Sequence, residues 1–362
     1  MVMKYVYSTS NSLTELTVST AGDCVYLGFS GNPAPCVFSQ KITDSVYHST
    51  SEYLLGHLDQ LIDDGNRVST VFLHTVNQTV TLDIATAAWM LLAKNRVYLE
   101  QPEWLFLMKY IGDIERGVAF SSFSESLYAF YYATAHLCRS RHPSGDHNSE
   151  LMDGYHQALT EVLKKPGLDQ DFPHRFMHHL ADNFDFSAQT EFLRHEEGLY
   201  TQFDYAESKK IWVRLPLKHS PAQKYARVRG LVVENPRSTL LKFFARNKRR
   251  YIEDNTVKNF PLLYVFYSAS DDRRSRHVIS VPPDVHYSLK GFSERVEKKE
   301  TEKRQQHMLP ARQCDNPRPG YRYNDPWYDE RHAGYSIIDT PREGSLLTKQ
   351  DMIDLLCGFM NP

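Results

Sequence analysis

The sequence is short of the residues that mark the most recognisable chemistries. Its 362 residues hold five cysteines, Cys24, Cys36, Cys138, Cys314 and Cys357, and no two of them form a C-x-x-C pair. Zinc ladders and disulfide frameworks both need paired spacing, so this odd, dispersed set predicts reduced thiols. Glycine is sparse at 17 residues, and neither G-x-x-x-x-G-K-[ST], G-x-G-x-x-G nor G-x-S-x-G occurs. The usual glycine cradles for nucleotide phosphates and the nucleophile elbow are thereby excluded. No run approaches the ~18 apolar residues of a membrane span. The opening MVMKYVYSTSNS lacks the apolar core of a secretory signal. Charge of one sign is missing as well: 42 Lys and Arg stand against 44 Asp and Glu, a net charge of −2. A protein basic overall is excluded, but a local basic face is not. Taken together, the absences predict a cytoplasmic protein.

What is present is enough apolar material, 41% of residues, for more than one core. Short β-type runs at 2–8, 13–18 and 24–29 open the chain, followed by a helical pattern over 49–64. Residues 68–73 read as a buried strand, and 80–93 as a helix with Leu82, Ala85, Ala88, Trp89 and Leu92 on one face. Helical spacing continues at 103–110 and 124–138 and through most of 149–203. The character changes near 204–210. Strands are predicted at 211–217, 227–233, 262–268, 277–281 and 335–338, and helices at 240–247, 288–303 and 349–359. The expected fold is α/β: an N-terminal sheet with flanking helices over 1–205, then an α+β domain over 206–362.

The segment 68–95, VSTVFLHTVNQTVTLDIATAAWMLLAKN, runs from strand through polar loop to helix. Open α/β sheets bind ligands at the carboxyl ends of their strands, and His74 and Asp83 fall at such a place. An imidazole and a carboxylate meeting there suit a divalent metal or an activated water. The alternative is structural, with Asp83 supporting a helix start and His74 a loop residue. The stretch HTVNQTVTLDIATAAWMLL resembles the first motif of DHH-type phosphoesterases, in which a strand leads to a His, a D-x-D pair and a helix of small residues. Asp83 matches the second Asp of the pair, Thr81 stands at the first, and Ala85, Ala87 and Ala88 match the helix. The run Tyr110-Ile111-Gly112-Asp113-Ile114-Glu115 resembles the place where that superfamily supplies a further Asp after an apolar strand. The literal D-H-H triplet is absent. The resemblance implies a phosphoester hydrolase binding two Mn²⁺ or Mg²⁺ ions, with His74, Asp83 and Asp113 as metal and catalytic residues. His174, His178, His179 and Asp182 form a second cluster at helical spacing, read as an amphipathic helix face.

Two features point to ligand binding in the C-terminal domain. Residues 224–250 hold nine Lys and Arg, among them Arg227, Arg229, Arg246, Lys248 and Arg249, against the single acid Glu234, with Tyr225, Phe243 and Phe244 between them. Arginine forks match phosphate oxygens and rings stack on bases, so this strip suits a nucleotide or nucleic acid; a solvated charged face is the other reading. Further on, Asn324-Asp325-Pro326-Trp327-Tyr328-Asp329, with Arg331 and His332, precedes Asp339-Thr340-Pro341-Arg342-Glu343-Gly344-Ser345. Aromatic and arginine residues on turns make binding anchors, and the expectation is a pocket walled by Trp327 and Tyr328 beside Asp329 and Arg342. The same rings can instead lock a long loop to its domain. The block resembles a P-W-Y-D-G-R … D-x-P-R-x-G-T pattern of uncharacterised proteins in bacterial conflict systems, with Glu330 and Ser345 as departures. That resemblance implies an AAA+ ATPase or another protein of the same system as partner.

These features predict a component of a bacterial conflict or defence system. It would recognise a phosphate-bearing ligand (a nucleotide or nucleic acid) or a partner protein, with a degenerate phosphoesterase site. An active metal-dependent phosphodiesterase or nuclease is the alternative, and a structural adaptor working through Trp327 and Tyr328 is the third.

Overall fold

The computed structural model describes residues 3–9, 24–29, 36–38, 49–59, 68–92, 95–115, 117–118, 123–142, 147–218, 224–246, 260–269, 274–282, 284–310, 327–329, 336–341 and 344–359. The chain is mixed α/β and divides into two compact units, 1–115 with 122–193, and 116–121 with 194–362. The boundary expected after residue 205 is thus placed between Leu193 and Arg194. Among the described residues no helix is long and apolar enough to cross a membrane. The strand expected at 13–18 lies outside the described residues.

The first unit is built on a parallel sheet in the order β1 (Lys4–Ser8), β4 (Thr70–Val76), β2 (Cys24–Leu27), β3 (Val37–Phe38). Parallel strands covered on both faces read as continuous apolar runs, and Val25, Tyr26 and Leu27 are all buried. β4 is longer than the sequence suggested. It continues through His74 to Val76 and folds back as β5 (Thr79–Val80), with Val76 opposite Thr79. The two turn residues, Asn77 and Gln78, have φ of 50° and 65°. Two successive left-handed residues match the twist of a tight hairpin. The expected polar loop is therefore strand and turn. Its missed signal was Asn-Gln standing where Asn-Gly is the usual mark.

The α-helices among the described residues of this part are α1 (Thr50–Leu55), α2 (Leu82–Met90), α3 (Arg96–Leu99), α4 (Pro102–Glu115), α5 (Leu127–Arg141), α6 (His147–Leu163), α7 (Phe176–Leu180) and α8 (Ser187–Leu199), within which the division between units falls. Thr81 caps α2 by accepting from the Ile84 N–H, and all nine residues of α2 are buried. A helix apolar on every side belongs in an interior. Trp89 stacks on Trp104 of α4 at 5.0 Å, and Tyr131 of α5 meets Tyr155 of α6 edge-on at 5.2 Å. Gly28 ends β2 with φ +81°. That conformation favours glycine, and a Cβ there would also lie 2.5 Å from Ile84 Cδ1, which would have to shift.

The second unit holds a six-stranded sheet in the order β10 (Tyr328–Asp329), β11 (Ser336–Asp339), β9 (Arg276–Val281), β8 (Leu262–Tyr267), β7 (Tyr225–Glu234), β6 (Lys209–Pro216). β7 and β8 are parallel and every other pair is antiparallel. One face supplies Ile211, Val213, Leu215, Val228, Val232, Tyr264 and Ile279 to the core. Phe292 and Val296 of α10 (Phe292–Gln306) and Met352, Ile353 and Leu356 of α11 (Lys349–Cys357) belong to the same core. A shorter helix, α9 (Leu241–Arg246), presents Phe244 to Tyr200 at 5.7 Å.

Candidate nucleic-acid interface

Alternation along β6 and β7 sorts their side chains onto two faces. Ile211, Val213 and Leu215 point to the core, so Lys210, Trp212 and Arg214 take the other side. In β7 the same side carries Tyr225, Arg227 and Arg229. The antiparallel register sets Trp212 opposite Arg229, Arg214 opposite Arg227, and Pro216 opposite Tyr225. Cross-strand neighbours on one face interact, and here the interactions are cation on ring. The Arg227 guanidinium lies 4.5 Å from the Trp212 ring and that of Arg214 lies 4.7 Å from Tyr225. Arg229 sits 5.9 Å from Trp212 and 5.0 Å from Phe260. Trp212 is 52% exposed and Tyr225 45%. Among the described residues neither Arg214 nor Arg227 forms an ion pair with a carboxylate. Arg227 is exposed and Arg214 half-buried, each over an aromatic ring.

Trp212 and Arg214 were absent from the predicted strip. Their signal was present in the alternation of K-I-W-V-R-L, with polar or amphipathic residues at 210, 212 and 214. Arg227 and Arg229, which the sequence did mark, are joined to them only by the register.

The other members of the strip go elsewhere. Arg246 is 8% exposed and donates to Ser280 Oγ at 2.7 Å. Burial lowers its guanidinium to a pKa of about 10, against the favourable charge of Asp284. Arg246 thus fails as an exposed phosphate contact, because the end of α9 is turned onto the sheet. Phe243 and Phe244, read as rings between the cations, are buried at 7% and 0%. Lys248 and Arg249 lie outside the described residues.

A separate cleft of about 570 Å³ opens where β6 begins, lined by Phe203, Glu207, Lys209, Glu234, Arg237 and Lys349 among others. Its charges are largely answered. Lys349 pairs with Glu234, and Arg237 lies 3.7 Å from the Phe203 ring and 3.9 Å from Glu207. The Asp204 carboxylate accepts from the N–H groups of Arg237 and Ser238, while burial raises its pKa against those bonds.

In the first unit, the three residues expected to bind metal have other roles. His74 is 6% exposed inside β4, with Phe29 edge-on at 5.8 Å. Asp83 lies in the first turn of α2, yet its oxygens serve the start of α1. Oδ2 accepts from the Thr50 N–H at 2.7 Å, and Oδ1 from the Ser51 N–H and hydroxyl at 2.8 and 2.7 Å. Unbonded N–H groups and the helix dipole favour an anion at that position. Burial raises the Asp83 carboxyl above its ordinary range, and the three bonds oppose that rise. Asp113 follows no strand. It lies on α4, whose buried Trp104, Leu107, Met108 and Ile111 keep helical spacing, and it pairs with Lys109 at 2.7 Å. Among the described residues no group of three His, Cys, Asp or Glu side chains is placed to hold a metal ion, so the convergence expected of His74, Asp83 and Asp113 is not found. The histidine cluster also disperses, with His174 in a 3₁₀ turn and His178 3.3 Å from Glu125.

The described residues of the C-terminal signature belong to the core, to β10 and to the end of β11 and the turn after it. Trp327 is 4% exposed and sits in the core, its ring 5.7 Å from that of His277. It cannot wall an open pocket. Tyr328 and Asp329 form the edge strand β10 against Asp339 and Ile338. The following turn is held to β9: Thr340 accepts from the His277 N–H at 2.6 Å and donates to its carbonyl at 2.8 Å. Gly344 has φ +80°, and a Cβ there would stand 2.5 Å from Arg274 Cβ. Ser345 donates to the buried carboxylate of Glu300. Arg331, His332 and Arg342 lie outside the described residues.

His277 is the centre of this packing. Its Nδ1 is 2.9 Å from the Tyr264 hydroxyl, and its Nε2 is 2.9 Å from Ser275 Oγ and 3.1 Å from the Leu347 carbonyl. A carbonyl only accepts, so the proton belongs on Nε2 and Tyr264 donates to Nδ1. The imidazole has no free lone pair for Ser275, and the Ser–His contact is a latch rather than a nucleophile and base. Comparison of the chain with known protein families, curated proteins and solved structures returns no match.

Proposed function

We propose that this protein binds the phosphate-bearing backbone of a nucleic acid on the open face of β6 and β7. One observation carries the reading: Arg214 and Arg227 are stacked on half-exposed aromatic rings, and neither has a carboxylate partner among the described residues. A guanidinium is weakly hydrated and presents a planar fork to phosphate, so it exchanges water for phosphate at low cost. Its stacking on a ring holds that fork in place before a ligand arrives, which reduces the ordering cost of binding. The overall charge of −2 restricts this attraction to a local face, so binding should be strongest at low ionic strength.

The four tryptophans make the test direct. Trp89, Trp104 and Trp327 are buried at 0%, 0% and 4%, and only Trp212 is open to a ligand. Titration with DNA or RNA oligonucleotides at low salt should quench the exposed component of the fluorescence. A Trp212→Phe variant should lose the signal but keep binding, measured by anisotropy of a labelled strand. No binding to any DNA or RNA at low salt would remove the proposal.

A further inference from the structure

We infer that the strand recognised is unpaired, with one base on Trp212 and another on Tyr225 and the sugar–phosphate between them on Arg214 and Arg227. The inference rests on the nucleic-acid reading above and narrows it.

The register fixes three successive rungs on the open face: Trp212 with Arg229, Arg214 with Arg227, and Pro216 with Tyr225. Rings occupy the outer rungs and the arginine pair the middle one. Tyr225 stands opposite Pro216, four residues along β6 from Trp212, a separation of ~13 Å at the usual rise of a strand. Stacked bases in a duplex follow one another at ~3.4 Å, so bases at the two rings are not neighbours in a stack. A strand meeting both rings must have its bases splayed and separated, as in single strands bound on aromatic platforms.

A duplex meets this face badly for a second reason. A β-ribbon reads DNA by entering the major groove, which is ~12 Å wide. Here β7 is hydrogen-bonded on its far side to β8, and the sheet continues to β10. Six strands at the usual spacing span ~24 Å, twice the groove. A duplex can touch the arginines through its phosphates, but its paired bases stay out of reach of Trp212 and Tyr225. The ring–arginine–ring order then has no use, whereas a splayed single strand engages all three rungs.

The experiment compares one labelled pyrimidine oligonucleotide as a single strand, annealed to its complement, and as an abasic strand of equal length, in DNA and RNA forms. Anisotropy is read with the full chain at one low salt concentration. The base-bearing single strand should bind about tenfold or more tightly than the other two, since each stacked base adds its own increment. Tyr225→Ala and Trp212→Ala should each lower single-strand affinity by about tenfold, several times more than they lower duplex and abasic affinities, which lose only the ring's support of its arginine. Two positions are varied so that poor folding of one variant, read from its thermal melt, leaves the other decisive. Equal binding of single strand, duplex and abasic strand overturns the inference while the phosphate reading stands. Equal loss of all three ligands in both ring variants overturns it also. Absence of binding to every form overturns both.

Discussion

The strand–helix segment of the first unit and the β6–β7 pair of the second both gather polar side chains, and they use them in opposite ways. Asp83 is sealed inside, with a backbone N–H on one oxygen and an N–H and a hydroxyl on the other. Around it the hairpin is equally occupied: the Val80 N–H goes to Asn148, the Val80 carbonyl to Tyr131, and the Gln78 carbonyl to His147 and Asn148. On β6–β7 Arg214 and Arg227 lie over rings, and a ring contact leaves the N–H groups of the fork able to bond elsewhere. A buried polar group must be bonded within the protein and so becomes part of the structure. An exposed one can keep its bonding capacity for a ligand. Polar density alone therefore does not locate a site; unspent bonding capacity on an open surface does.

The comparison can be broken most forcefully at Asp83. Asp83→Ala leaves two backbone N–H groups and the Ser51 hydroxyl without their acceptor in the interior. A loss of about 3 kcal/mol or more is expected in urea unfolding. A loss below about 1 kcal/mol would mean that the carboxylate is not the structural cap described here. Next comes the latch at His277. Burial lowers its folded pKa from 6.5 to about 4. The unfolded chain therefore takes up the proton first as pH falls. The stability held by the neutral ring is complete above pH 6.5 and is lost progressively between 6.5 and about 4, amounting to ~3 kcal/mol. Buried carboxyls with raised values, such as Asp339, act in the opposite sense over acid pH. The diagnostic is consequently the difference between wild type and His277→Gln, whose amide can replace both hydrogen bonds without titrating. That difference should follow pH across this window, and a constant difference would acquit His277.

On the open face the expected balance reverses. Arg214→Glu with Arg227→Glu should cost no more than about 1–2 kcal/mol of stability, the worth of two exposed cation–ring contacts. The slope of log affinity against log salt should fall by about 2, one for each phosphate contact removed. A large drop in stability with an unchanged slope would make the arginines structural and reverse the contrast. The smallest effect belongs to Asp113, whose partner Lys109 is 76% exposed. Asp113→Ala should change stability by only about 0.5 kcal/mol. Dependence of any activity on Asp113 and Mn²⁺ together would instead revive the metal reading.

Much of the local structure was legible. The strands at 24–29, 211–217, 262–268 and 277–281 and the helices near 80–93, 288–303 and 349–359 appear within a few residues, because their periodicity reflects one buried face. Helix α4 overran its predicted end and took Asp113 with it, since Ile111 continues the apolar stripe one turn further. The site was half legible. Tyr225, Arg227 and Arg229 alternate along one strand, and so do Lys210, Trp212 and Arg214 along another, but nothing in either run says which rung faces which.

The amino-acid sequence by itself determined which side of most strands and helices is apolar, and that no large field of one charge surrounds the chain. Those properties depend on neighbours a few residues apart, through backbone geometry and side-chain alternation. Tertiary structure alone decided what became of the polar residues. Asp83 meets the start of a helix 33 positions away, Arg246 reaches Ser280 across 34, and Trp327 closes on His277. Arg214 and Arg227 were left beside Trp212 and Tyr225 on one face of β6 and β7. Desolvation and hydrogen bonding act through space, so one arginine is a buried strut at the end of α9 and another lies over a half-exposed ring on β7.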